Sequence, residues 1–344
     1  MFRYAQSYRS PDVLALHRDL DWRIGRLDRV RQLTALPSFS ALAVVQGDRL
    51  LWEQYAPDYG PDGAHSMQSI TKTTVNLMAG RLVEDGKLDL GRTVASYLPE
   101  IGSGYAAATV QQVLDMDVVN DFTEDYADLA SASYMQEAAM GWRLPPTGQA
   151  EQDSRAFVCG IKGGDLTNHA GTINYKSSNT DVAAWIVERC AGRPLGELVL
   201  EIAEAAGFEG TFHMGTDRVG VPMLNGSGCL SARDLARYGQ IFARGGIGVN
   251  GQRVGSKAFI DATRSGRGTR YEGPRAGIRY ANQMASRGRW VGHGGYGGQY
   301  MLVDVGTGIS VAFFSVLEDV DAHDADYGYE TIRLCEEIAS QAWA

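Results

Sequence analysis

The sequence predicts an α/β (α+β) fold: one antiparallel sheet built from both chain ends and flanked by helices, with a helical domain inserted between. Three observations lead there. Strand-like patterns fall at residues 41–55 and again at 299–317. Between them, helical apolar spacing dominates. The chain has 344 residues, 44% of them apolar, which is more than one ordinary core takes. The expected division is a sheet domain of residues 1–64 plus 247–344 and a mostly helical domain of residues 65–246, with the active site between them.

The elements follow in order. Pro11 to Leu33 carries helical spacing through Val13, Leu16, Leu20, Ile24, Leu27 and Val30. Ala41 to Val45 and Leu50 to Tyr55 read as strands around a Gly47-Asp48 turn. A helix is expected from Ser69 to Glu84, stopped by Asp85-Gly86. Thr109 is a threonine N-cap for a helix running to Met116. Asn179 to Gly192 is amphipathic and ends on glycine. Ser231 caps another helix, with Asp234 three residues on and Gly245-Gly246 as its stop. Asn250-Gly251 is a hairpin signal. The Gly- and Arg-rich run Arg264 to Arg279 reads as a mobile loop. Gln299 to Asp319 alternates as two strands joined at Gly306–Gly308, and the chain closes on a helix.

Charge and composition exclude several classes. A formal net charge of -9 repels phosphate backbones, so nucleic acid is not an expected partner. No apolar run reaches the ~20 residues of a membrane span, and the N-terminus lacks an apolar leader core. A cytoplasmic location is the expectation. Cys159, Cys190, Cys229 and Cys335 form no C-x-x-C pair. Glu318 to Asp326, "EDVDAHDAD", reads as an acidic solvated loop rather than a metal site, and H-E-x-x-H is absent. No cofactor or metal is expected. Homo-oligomerisation stays open.

The chemistry starts from lysine. The chain has only Lys72, Lys87, Lys162, Lys176 and Lys257, and Lys72 alone has a serine, Ser69, three residues before it. Positions i and i+3 share a helix face. A serine hydroxyl needs a base at neutral pH. A buried lysine loses proton affinity and can act as one. The flank "ITKTTVNLM" is charge-free apart from Lys72, which suggests a buried helix rather than a solvated face. A surface serine and lysine would give the same spacing by chance.

Ser69-Ile70-Thr71-Lys72 followed by an apolar helix resembles the serine β-lactamase and penicillin-binding superfamily, which uses S-x-x-K. The likeness is greatest to its class C-like branch, which includes family VIII esterases, D-aminopeptidases and 6-aminohexanoate-dimer hydrolases. "TVQQVLDM", "HAGTINYKSSNTDVAAWIVERCAG" and "GSGCLSARDLARYGQIFARGG" carry it along nearly the whole chain. The resemblance implies a β-lactamase/DD-peptidase fold and an acyl-enzyme on Ser69.

It also implies further site residues. Tyr175-Lys176-Ser177 fits the second motif, with Tyr175 as a phenolate or as a partner sharing a proton with Lys72, and Ser177 at the substrate. Tyr8-Arg9-Ser10 matches the same short pattern. His293-Gly294-Gly295 stands where the branch often has Lys-Thr-Gly. The N–H groups of Ser69 and Tyr296 would form the oxyanion hole. The missing lysine and threonine argue against efficient β-lactam hydrolysis. "EDYAD" resembles the nylon-oligomer hydrolase segment whose tyrosine contacts the scissile amide, which maps to Tyr126. Gly292, Gly294 and Gly297 match G-x-G-x-x-G, but a strand pattern follows instead of a helix, and no G-x-S-x-G is present. The expected activity is hydrolysis of a small amide or ester. An acyltransferase using the same acyl-enzyme and a catalytically inactive ligand-binding protein are the alternatives.

Overall fold

The computed structural model describes residues 3–128, 130–318, 322 and 324–343. The sheet grows from two hairpins at opposite ends of the chain. Phe39–Gln46 and Arg49–Tyr55 pair around Gly47, whose φ of +62° suits glycine. Gln299–Asp304 and Ile309–Ser315 pair in the same way. Ile309–Ser315 then lies antiparallel to Phe39–Gln46, with Val311 opposite Val44 and Phe313 opposite Leu42, and this joint unites the chain ends. Trp290–Gly295, Met284–Ser286, Arg279–Ala281 and Thr269–Arg270 extend the sheet on one side, to eight of its nine strands. On the other side the edge strand His17–Arg18 runs parallel to Arg49–Tyr55, so the sheet is not antiparallel throughout.

Period-two alternation sends side chains into two cores. Leu42, Val44, Val311 and Phe313 face the Asp28–Thr34 and Ala325–Ala339 helices, which supply Val30, Leu33, Ile332 and Ile338. Ala41, Ala43, Ala312 and Phe314 face the helical side. There the Ala232–Ala243 helix packs on Ile309–Ser315. Ser231 caps it by accepting from the Asp234 N–H. Thr109 forms a full capping box with Gln112 on Val110–Leu114.

The helical side is built around Thr73–Glu84, which packs against Ser177–Ala191. Its hydroxyls need no solvent, because Thr73 and Thr74 donate back to the Ile70 and Thr71 carbonyls. A second sheet of four short strands escaped the sequence reading: Ala5–Tyr8, Phe212–Gly215, Gly228–Leu230 and His65–Ser66. Two to four residues are too few for a period to show. This sheet matters to the site, since the Gly228 carbonyl accepts from the Met67 N–H and pins the turn that follows.

Several expectations are corrected. Pro11 to Leu33 is not one helix. The His17, Asp19 and Asp21 N–H groups donate to Asp48, Leu50 and Leu51 carbonyls at the sheet edge, and helix forms only over Asp28–Thr34 after a 3-10 turn at Ile24–Arg26. Edge pairing there outcompetes a weak helical period. The expected helix from Ser69 begins instead as a 3-10 turn, Gln68–Lys72, before Thr73–Glu84. Asn250-Gly251 makes a turn closed by a lone bridge between Ile247 and Arg253, not a hairpin of two strands. The run Arg264 to Arg279 contains the Thr269–Arg270 strand and a 3-10 turn at Gly273–Arg275. Of the acidic stretch 318–326, residues 319–321 and 323 lie outside the described residues; its end is not loop, since Asp324 caps the Ala325–Ala339 helix and Ala325 and Asp326 begin it. Among the described residues no helix is long and apolar enough to cross a membrane, and no acidic, histidine or cysteine cluster could hold a metal. All four cysteines are free.

Candidate active site

Ser69 sits in the tight 3-10 turn between the small sheet and the central helix. Gln68, just before it, holds a φ of +48°. That is a left-handed conformation a side-chain-bearing residue adopts at a cost of about 1 kcal/mol or more, and such strain collects at functional sites. Lys72 is fully buried, and its Nζ lies 3.0 Å from the Ser69 Oγ. The Nζ also donates to Ser177 Oγ, 3.0 Å away, and to the Asn225 carbonyl. Among the described residues no carboxylate comes within ion-pair distance of it. Burial holds its pKa down at about 8 from a usual 10.5, with the charges of Glu124 and Asp181 opposing. A neutral amine has two N–H donors and one lone pair. Asn225 and Ser177 take the donors, which leaves the lone pair for the Ser69 proton.

The lysine's surroundings were only partly legible. Ser177 donates from Oγ to Glu124 Oε1 at 2.8 Å, and its N–H donates to Oε2. The Tyr126 hydroxyl donates to the same Oε1. Glu124 therefore ties together Ser177 and Tyr126, a role the sequence reading missed although it had singled out "EDYAD". Asp181, also missed, accepts from Gln136 and Asn225, and burial pushes it up to about 7. Ser177 was expected to meet substrate. It lines the smaller cleft, and its oxygen accepts from Lys72 and donates to Glu124, which leaves one lone pair free.

Tyr175 lies with its ring 5.1 Å from the Lys72 Nζ. Its hydroxyl is buried without a well-formed protein hydrogen bond. Burial first, and then the Glu124 charge, push its pKa well above the usual value, with the Ser69 hydroxyl opposing. That direction favours a neutral phenol over a phenolate beside Ser69. The neighbouring Lys176 points away and donates to the Phe122 carbonyl. Tyr8 of the rival Tyr-x-Ser match sits in the small sheet paired with Phe212, on a different element.

His293, Gly294 and Gly295 end the Trp290–Gly295 strand beside the nucleophile turn. A Cβ on Gly295 would stand 2.5 Å from the Met67 carbonyl oxygen, so only glycine lets the strand lie this close. Tyr296, the next residue, lines the same clefts as Ser69. Gly295→Ala is expected to lower kcat by about 100-fold while leaving the fold intact, because a small displacement of this strand end from Ser69 suffices; unchanged kcat would show that the close approach is not needed. His293 is 3% exposed, and burial above all, then the Lys72 charge, lowers its pKa to about 3. The ring is neutral: Nδ1 donates to the Gly294 carbonyl, and Nε2 accepts from the Tyr280 hydroxyl. It lines the cleft with both nitrogens already engaged.

Two clefts meet at Ser69. The larger, about 680 Å³, runs past Tyr175, His293 and Tyr271 towards Arg275. The smaller, about 310 Å³, runs past Ser177, Tyr134 and Trp142. Tyr126 and Tyr296 stand in both, ring to ring at 4.8 Å. A substrate with a reacting carbonyl at Ser69 would place one half in each.

The family model for beta-lactamase matches residues 28–331. The chain belongs to the beta-lactamase family. A curated family relative, the 6-aminohexanoate-dimer hydrolase of Paenarthrobacter ureafaciens, is 33% identical over 249 residues, 72% of this chain. The match spans 62% of that relative, less than two thirds of its length. A solved structure from Bacillus anthracis, provisionally named a 6-aminohexanoate-dimer hydrolase, superposes with a TM-score of 0.82 at 22% identity, covering 98% of this chain and 91% of its own. A family VIII carboxylesterase superposes at 0.63 with 15% identity, covering 97% and 99%. These likenesses bear out the expected β-lactamase/DD-peptidase fold.

Proposed function

We propose that this chain is a serine hydrolase that cleaves a small amide or ester through an acyl-enzyme on Ser69. The observation that carries the reading is the buried, carboxylate-free Lys72 with its Nζ 3.0 Å from the Ser69 hydroxyl. Neutral Lys72 takes the Ser69 proton as Oγ attacks the carbonyl carbon. The N–H groups of Ser69 and Tyr296 hold the oxyanion. Tyr175 passes a proton to the leaving nitrogen or oxygen, and Lys72 replaces it. Water then attacks the acyl carbonyl, giving a proton to neutral Lys72, which passes it to Ser69 Oγ as the acyl–oxygen bond breaks. Tyr126 keeps lone pairs for a substrate amide N–H, since its own hydrogen goes to Glu124. Gly294 and Gly295 let substrate approach the strand backbone, and His293 shapes the wall. Ser177 and Glu124 hold Lys72 in place.

The relatives' names point to linear amides and esters as the substrate class. 4-Nitrophenyl butyrate, a 6-aminohexanoate dimer and nitrocefin, run against wild type and Ser69→Ala, test this. Ser69-dependent turnover of the first two with little nitrocefin cleavage is expected. Equal inertness of both proteins would leave a ligand-binding protein.

The pH profile follows from the lysine. Only its neutral form accepts a proton, so kcat/KM rises with pH through a midpoint near 8. Glu124 raises that value. Glu124→Gln keeps a hydrogen-bond acceptor but removes the charge, so the midpoint is expected to move to lower pH. A midpoint that stays, or moves up, would contradict the coupling.

A further inference from the structure

The far wall of the larger cleft holds donors for which the described residues offer no acceptor. Arg275 Nε and the hydroxyls of Tyr300 and Tyr327 are all buried, and among the described residues none has a hydrogen-bond partner. All three residues line the cleft that contains Ser69. Tyr175, whose hydroxyl also lacks a well-formed partner among the described residues, lines the same cleft as Ser69.

Arg275 stands out among the cleft's charges. Most arginines of this chain sit in ion pairs, but among the described residues no carboxylate lies within 4.0 Å of Arg275. Glu272 and Asp324 line the same cleft, yet both are exposed at its rim and neither reaches the guanidinium. A guanidinium presents five N–H donors in a planar fork suited to a carboxylate.

The placement of these groups is built into the backbone. Gly328 lies within the Ala325–Ala339 helix, where glycine costs about 1 kcal/mol relative to alanine. A Cβ there would collide with the Arg275 terminal nitrogen, so the glycine gives the guanidinium its seat on the helix backbone. Arg275 also lies 5.9 Å from the Tyr271 ring centroid, which flanks its other side. Gly298, at a φ of +98°, makes room for Tyr327: a Cβ would stand 2.8 Å from its ring.

We propose that Arg275, Tyr300 and Tyr327 form a carboxylate subsite, and that the substrate half seated in the larger cleft carries a free carboxylate. The inference rests on the hydrolase reading only in taking this cleft as the substrate's. It names an anchor on the 3-10 turn and the C-terminal helix, where the strand itself has His293-Gly294-Gly295. One carboxylate would accept from all three residues and leave the rim acids in water.

Calorimetry on the Ser69→Ala protein reads the subsite without turnover. The probes are two matched pairs. N-butyryl-6-aminohexanoate against its N-methylamide places the charge on the leaving half. Monomethyl glutarate against methyl butyrate places it on the acyl half. At least one carboxylate is expected to bind roughly 10- to 100-fold more tightly than its neutral match. Adding Arg275→Gln is expected to erase that difference, Tyr327→Phe to reduce it roughly 3- to 10-fold, and Arg275→Lys to keep part of it. Equal binding of charged and neutral probes in both pairs overturns the proposal. So does a preference that survives both Arg275→Gln and Tyr327→Phe. Failure of the hydrolase reading would show separately, as wild type inert towards a neutral activated ester.

Discussion

Lys72→Met is expected to abolish turnover and raise the melting temperature together. Methionine fills a similar volume without a charge or a base. With no acceptor for the Ser69 proton, kcat/KM should fall by about 10⁴-fold or more, as in hydrolases that lose nucleophile or base. Stability should move the other way. The folded pKa of Lys72 is about 8, below the 10.5 of an exposed lysine. Between those values the unfolded chain binds more protons than the folded one, so wild-type stability rises with pH across that window. Below pH 8 the full cost of burying the ammonium applies, on the order of 3 kcal/mol. The lost hydrogen bonds to Ser177 and the Asn225 carbonyl offset part of the gain. Thermal melts at pH 7 and pH 10.5 check this: the variant's advantage should be several degrees at the first and small at the second. A variant less stable than wild type at pH 7 would show that the lysine is no burden to the fold.

Tyr175→Phe should separate amides from activated esters. The change removes one oxygen and leaves a ring over the Lys72 Nζ. An amide nitrogen must be protonated to leave, whereas 4-nitrophenolate leaves unaided. If the Tyr175 hydroxyl delivers that proton, amide kcat falls by about 10²- to 10⁴-fold. The 4-nitrophenyl ester should lose roughly 10-fold or less. Steady-state rates on both substrates with one preparation decide it. Equal losses would mean that Tyr175 acts on the Ser69 hydroxyl rather than on the leaving group.

The Ser69–Lys72 contact was legible because its signal is local. One serine three residues before one lysine, in a charge-free helical flank, needs no knowledge of distant contacts. The joined chain ends were legible because Ala41–Val45 and Ile309–Ser315 are long enough for strand character to show. Glu124 was not, because its role depends on Ser177, 53 residues away, folding back onto it. The burial of Tyr175 was not, because burial is a property of the packed site. The residues before Ile24 misled in another way. Their helical spacing was real, but the unpaired edge beside Arg49–Tyr55 claimed their N–H groups. Arg275 lay in a run that composition alone marked as a loop, and only the packing against Gly328 gives it a place.

The most direct test of the Ser69–Lys72 pair is to quench the protein during turnover of 4-nitrophenyl butyrate and measure its intact mass, with peptide mapping. A butyryl group on the peptide carrying Ser69, absent from Ser69→Ala and formed faster as pH rises through about 8, is the expected result. Turnover that persists in Ser69→Ala, or an acyl group mapped to another residue, would contradict it.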